Sequence, residues 1–140
     1  MNTEELSACL TFIREAERLK NVHRSAYTST GKQESTAEHT WRLCLLGIVF
    51  ESEFAGIDFG KLLKICVVHD LGEAISGDIP AVEQVNVPNK SALERADLVS
   101  LLSHLPDPIH AQFLALWDEY ENAASPEARL VKGLDKIETI

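Results

Sequence analysis

The chain has no broad basic face: 13 Lys and Arg stand against 22 Asp and Glu, a formal net charge of −9. That balance excludes a general binder of nucleic-acid backbones, which needs clustered cations. It does not exclude a small phosphate ligand, for which a metal and one or two cations suffice. The three cysteines, Cys9, Cys44 and Cys66, are odd in number and form no Cys-x-x-Cys pair. Each lies in an apolar helical pattern, which predicts buried free thiols in a reducing compartment. No apolar run approaches the ~20 residues that span a bilayer. The acidic start Met1-Asn2-Thr3-Glu4-Glu5 lacks the apolar centre of an export signal. A cytoplasmic protein with no membrane partner is therefore expected. Alternating strands, internal repeats and low-complexity tracts are also missing.

What is there is ordinary globular composition, 45% hydrophobic and 25% charged over 140 residues, enough for one domain, 1–140, with a real core. Six helical patterns follow one another. The first starts at Thr3 and carries Leu6, Cys9, Leu10, Phe12, Ile13, Ala16 and Leu19 at helical spacing. Residues 21–34 show no period and read as a loop bearing His23, Arg24 and Lys32. Ser35-Thr36-Ala37-Glu38 is a capping box that opens a second helix, with Trp41, Cys44, Leu45, Ile48, Val49 and Phe50 as its apolar stripe. Asp58 caps a third, apolar almost all round from Leu62 to Val68 and hence central. Residues 79–90 read either as a loop over a pocket or as a plain surface connection. Leu93, Ala96, Leu98, Leu101 and Leu102 face inward on the fourth. Asp107-Pro108 and Ser125-Pro126 open the last two. The expected fold is all-α, a bundle of about six helices.

The densest chemistry lies from Ile65 to Asp78. After four consecutive apolar residues come His69 and Asp70, close enough around a helix for both to reach one ion. Glu73 follows by one turn, Gly77 supplies a left-handed stop, and Asp78 starts the exit loop. A carboxylate after such a run needs a partner, and a metal is the simplest one. His39, in the first turn of its helix, and Asp135, beside the stripe Leu130, Val131, Leu134 and Ile137, each look ordinary alone. Taken with His69 and Asp70 they make a mixed nitrogen and oxygen set suited to a divalent ion, with octahedral positions left for water and substrate.

His39, then His69-Asp70, then Asp135 resembles the H…HD…D signature of the HD-domain metal-dependent phosphohydrolases. Further segments resemble its small 5′-deoxynucleotidase-like branch: Leu19 to Val22 with Arg24, Ala37 to Trp41, Val68 to Glu73, Gly77-Asp78, Leu116 to Glu121 and Leu130 to Lys136. The resemblance implies an HD-domain bundle around one divalent ion held by His39, His69, Asp70 and Asp135. It makes Glu73 the acid that activates the attacking water, Asp78 a second acid beside the leaving group, and Arg24 the grip on a nucleotide phosphate. The implied reaction removes the 5′-phosphate of (deoxy)nucleoside monophosphates, and the implied assembly is a homodimer, for which the stripes of the last two helices are candidates. Ser25 stands where such enzymes carry an aromatic residue that rejects the ribose 2′-hydroxyl, so a weaker deoxy preference is expected. Relatives usually run on for some tens of residues, whereas this chain ends five positions after Asp135, so fraying of the last ligand helix is expected. Two other readings stand beside this one. A non-catalytic nucleotide-binding module would have no need of Glu73 and Asp78. An HD-type di-iron oxygenase would need further histidines, for which only His104 and His110 remain downstream before Asp135.

Overall fold

The structure, a computed structural model, describes residues 1–77 and 89–139. Helix α1 (Thr3–Ala16) is capped one residue earlier than expected, by Asn2 in a reciprocal box with Glu5, and a 3-10 turn (Glu17–Asn21) carries Leu19 into the core. The stretch expected as loop instead forms a small antiparallel hairpin, β1 (His23–Tyr27) and β2 (Gln33–Ser35). Its turn closes through the Thr28 amide donating to the Lys32 carbonyl at 2.7 Å, with Gly31 at φ 88°. The less exposed positions of this hairpin are Arg24, Ala26, Glu34 and Ser35. Three of the four are polar, so no alternation of hydrophobicity announces a strand.

Helix α2 (Thr36–Val49) begins at the expected capping box, the Ser35 hydroxyl accepting from the Glu38 amide. Its inward face is not the one expected. Thr36, His39, Thr40, Leu43 and Gly47 are buried, whereas Trp41, Leu45, Ile48, Val49 and Phe50 lie at the surface. The buried face is polar near its start, at Thr36, His39 and Thr40, and small at Gly47. The most apolar face is thus the outer one.

Helix α3 (Phe59–Val68), capped by Asp58, packs against α2 and against two later helices, α6 (Asp107–Glu121) and α7 (Pro126–Glu138). It is central, as its apolar circumference requires. Leu62, Ile65 and Cys66 join Leu43, Val131 and Leu134 in one core cluster; Val68 joins Phe12, Leu71, Leu98, Leu102 and Trp117 in another. Each fully buried leucine there contributes about 1.5–3 kcal/mol. Beyond Val68 the chain turns tightly and re-enters a single helical turn, α4 (Glu73–Ser76), which Gly77 ends at φ 83°. Helix α5 (Lys90–Leu102) presents Leu98, Leu101 and Leu102 inward, with Glu94 rather than Leu93 on that side at its start.

Among the described residues, six helices of ten or more residues and one short one therefore make the expected helical bundle. All three cysteines are free thiols; Cys66 is buried and the other two partly so. Among the described residues, no helix is long and apolar enough to cross a membrane. The stripes of α6 and α7 are mostly buried: Trp117, Val131 and Leu134 lie in the core, and Ile137 is exposed. Unpartnered apolar side chains lie instead on α1 (Leu6, Leu10, Ile13) and α2. Helix α7 holds through Glu138.

Candidate metal centre

The capping box at Ser35 starts α2 so that Thr36 and His39 both turn inward. The end of α3 delivers His69 and Asp70, and the face of α7 that carries Val131 and Leu134 brings Asp135 beside them. Donor atoms of these four residues all lie within 4.8 Å of one another. Asp135 Oδ1 is 2.7 Å from His39 Nε2 and 3.3 Å from His69 Nε2; Asp70 Oδ2 is 3.0 Å from His69 Nε2 and 3.8 Å from His39 Nε2. Ligands ~2.1 Å from an octahedral ion are separated by about 3 Å along each edge, so these spacings fit one.

The imidazoles are turned the right way. His69 Nδ1 donates to the Cys66 carbonyl at 2.7 Å, and Nδ1 of His39 meets a carboxylate oxygen of Glu138. With both Nδ1 atoms engaged outward, both Nε2 atoms face the Asp135 carboxylate, the usual orientation of a ligating histidine. Electrostatics tie the group together. Burial opposes charging His69, yet Asp70 and Asp135 raise its pKa well above the ordinary value; His39 is also raised, burial again being outweighed, chiefly by the Asp135 hydrogen bond. Burial likewise resists charge on Asp70 and Asp135, but the histidines hold both carboxyls below their usual range.

Above this cluster lies a cleft of about 460 Å³ lined by Arg24, Glu73, Lys90, Ser91, Glu94, Tyr120, Glu121 and Lys132 besides His69, Asp70 and Asp135. Glu73 is buried and accepts from the Thr36 hydroxyl at 3.0 Å. Arg24, on the inner side of β1, pairs through Nε with Glu34 at 3.1 Å and brings Nη1 to 4.0 Å from Asp70. Tyr120 packs on His69 with ring centroids 5.0 Å apart, and Lys132 Nζ stands 4.0 Å over the Tyr120 ring.

Six of the seven site residues expected from sequence are therefore gathered here; the seventh, Asp78, lies outside the described residues. Ser25 is exposed, alternates with Arg24 along β1, and does not line the cleft. His104 is exposed and His110 Nδ1 meets the Leu102 carbonyl, so among the described residues neither joins the cluster. Sequence reading missed Thr36, Glu94, Lys132 and Glu138. Burial, and then the charge of Asp70, push the Glu94 carboxyl up to about 7. On helices, isolated acids and lysines look solvated, and only spacing from a known ligand, three residues for Lys132 and Glu138 about Asp135, could have singled any out.

The HD domain profile matches residues 16–140. The chain belongs to the HD-domain family. Like this HD-domain chain over 94% of its length is the 5′-deoxynucleotidase HDDC2 of Danio rerio, 32% identical. The 5′-deoxynucleotidase hdd1 of Schizosaccharomyces pombe is 35% identical over the whole chain, which spans 73% of it. The chain spans about two thirds of the length of the Danio rerio relative, 66%. Among solved structures, a protein described as a predicted metal-dependent phosphohydrolase from Magnetospirillum magnetotacticum superposes with a TM-score of 0.85 at 26% identity, covering 94% of this chain and 68% of that one.

Proposed function

We propose that this HD-domain chain, acting as one domain over 1–140, hydrolyses the 5′-phosphate ester of (deoxy)nucleoside monophosphates, with one divalent ion held by His39, His69, Asp70 and Asp135. The observation that carries this reading is the convergence of those four donors, with His69, Asp70 and Asp135 on the floor of a cleft that also holds Glu73 and Arg24 and His39 buried behind them. The donor set suits Mn, Co, Zn, Ni, Fe or Mg. When bound, such an ion lowers the pKa of a water toward neutrality and offsets phosphate charge. Charge in the cleft makes that offset necessary. Asp70, Glu73, Glu94, Glu121 and Asp135 outnumber Arg24, Lys90 and Lys132, and a phosphate dianion would be repelled without it.

The residues then divide the work. Glu73, fixed by Thr36, takes the proton of the attacking water. Arg24, its Nε edge held by Glu34, offers its other nitrogens to two phosphate oxygens at once. Lys132, one turn before Asp135, supplies a second cation. Asp78 is the candidate to protonate the departing 5′-oxygen, a role that rests on resemblance alone. A homodimer belongs to the same reading, with the exposed apolar side chains of α2 the surface such a contact would cover. So does a cytoplasmic setting, which suits three free thiols.

The test is phosphate release from a panel of ribo- and deoxynucleoside 5′- and 3′-monophosphates, before and after chelation. Metal-dependent release from the 5′-esters is expected. Turnover that survives chelation contradicts the reading, and tight nucleotide binding without release would favour a regulatory module.

A further inference from the structure

The two histidines of the cluster are held by different means. His69 rests its Nδ1 on the carbonyl of Cys66, three residues back, so its own turn of chain orients it. His39 leans on a side chain instead. Its Nδ1 meets Oε2 of Glu138, from another helix, with only 1% of its side-chain surface exposed. The second carboxylate oxygen, Oε1, is buried without a hydrogen-bond partner among the described residues and lies 3.4 Å from Nε of the half-exposed Arg42. A buried carboxylate with one oxygen incompletely satisfied costs stability, and on the same face of α7 Val131 and Leu134 fill comparable positions with apolar groups. Packing alone therefore gives no reason for an acid here.

We infer that Glu138 is a positioning residue: it accepts the Nδ1 proton of His39 and so fixes the tautomer and ring orientation in which Nε2 faces the ion. The inference rests on the four-ligand reading above. It adds that the last turn of α7 grips the centre twice, directly through Asp135 and indirectly through the residue three positions on. Carboxylates that orient a ligating histidine this way typically matter 10–100-fold in metal affinity. Glu138 is not among the residues that line the cleft, so its influence is read in metal retention.

Two substitutions of similar shape separate the acceptor from its bulk. Glu138→Gln keeps a carbonyl oxygen that can accept from Nδ1, and Glu138→Met keeps only the volume. Affinity for Zn²⁺ is read by competition with a fluorescent chelator, and the metal-free melting temperature by circular dichroism. Expected are a loss of about 10–100-fold for Glu138→Met and a smaller loss for Glu138→Gln, with both metal-free variants still melting cooperatively above the temperature at which affinity is read. Affinity within about twofold of the unmodified chain in the Met variant overturns the inference. Should that variant fail to fold, ¹H–¹⁵N spectra of the unmodified Zn²⁺-loaded chain decide: a protonated Nδ1 and a ligating Nε2 on His39 support it, and the reverse overturns it. A chain that holds zinc this way but releases no phosphate refutes the hydrolase reading and leaves this one standing. A chain that binds no divalent ion refutes both.

Discussion

At the residue scale, two acids three positions apart have separable tasks. Asp70 sets Oδ2 3.0 Å from His69 Nε2 and 3.8 Å from His39 Nε2, where it can join both histidines on one ion. Glu73 sits beside that set, buried against Thr36, with its carboxylate toward the cleft. Asp70→Ala is expected to lose metal on gel filtration while its far-ultraviolet circular dichroism stays helical. Glu73→Ala is expected to keep stoichiometric metal and lose on the order of 10²–10⁴ in kcat, the usual worth of a general base. Metal lost from the Glu73 variant would place that carboxylate among the ligands. A kcat that did not move would remove it from the mechanism.

At the scale of elements, the turn between α3 and α4 must lie hard against α5. A Cβ on Gly72 would stand 2.8 Å from the backbone oxygen of Glu94 and 3.0 Å from its Cγ. Backbone cannot swing aside as a side-chain tip can, so Gly72→Ala forces α5 outward. A loss of about 1–3 kcal/mol is expected, the range for overpacking, read as a lower midpoint in urea. An unchanged midpoint would mean that α5 is held more loosely than this. The same neighbourhood shows what sequence could and could not tell. Caps and central apolar runs are local, so Ser35, Asp58 and Ser125 marked helix starts correctly and α3 declared itself central. Faces that serve a polar site carry no hydrophobic period. For that reason β1 reads as loop in the sequence and α2 reads outside in. His69-Asp70 was legible because an acid after an apolar run demands a partner. Asp135 became legible only through the family pattern, and Glu138 and Glu94 only through burial.

At the scale of the molecule, the histidines and aspartates make stability depend on pH in a way that metal should reverse. In the chelated protein His39 and His69 have raised pKa values. Their contribution is present below the ordinary histidine value of ~6.5 and is lost as pH rises through the folded-state values. Asp70 and Asp135 are depressed, so their contribution is present above ~4 and is lost as pH falls through theirs. Chelated protein should melt highest on the acid side of neutrality, and its Tm should fall as pH rises above neutrality. Loaded protein needs neutral imidazoles, so the gap between loaded and chelated Tm should widen over that range. A chelated Tm that rose with pH above neutrality would contradict the network.

That a single divalent ion on His39, His69, Asp70 and Asp135 confers phosphatase activity is tested most directly by titration of metal-stripped chain with Mn²⁺ or Co²⁺. Phosphate release from a deoxynucleoside 5′-monophosphate is followed at each addition. Activity should rise from the chelated baseline, level off at one equivalent per chain, and stay at baseline throughout for Asp70→Ala. Full activity before any metal is added, or an Asp70→Ala chain that titrates like the unmodified one, would contradict it.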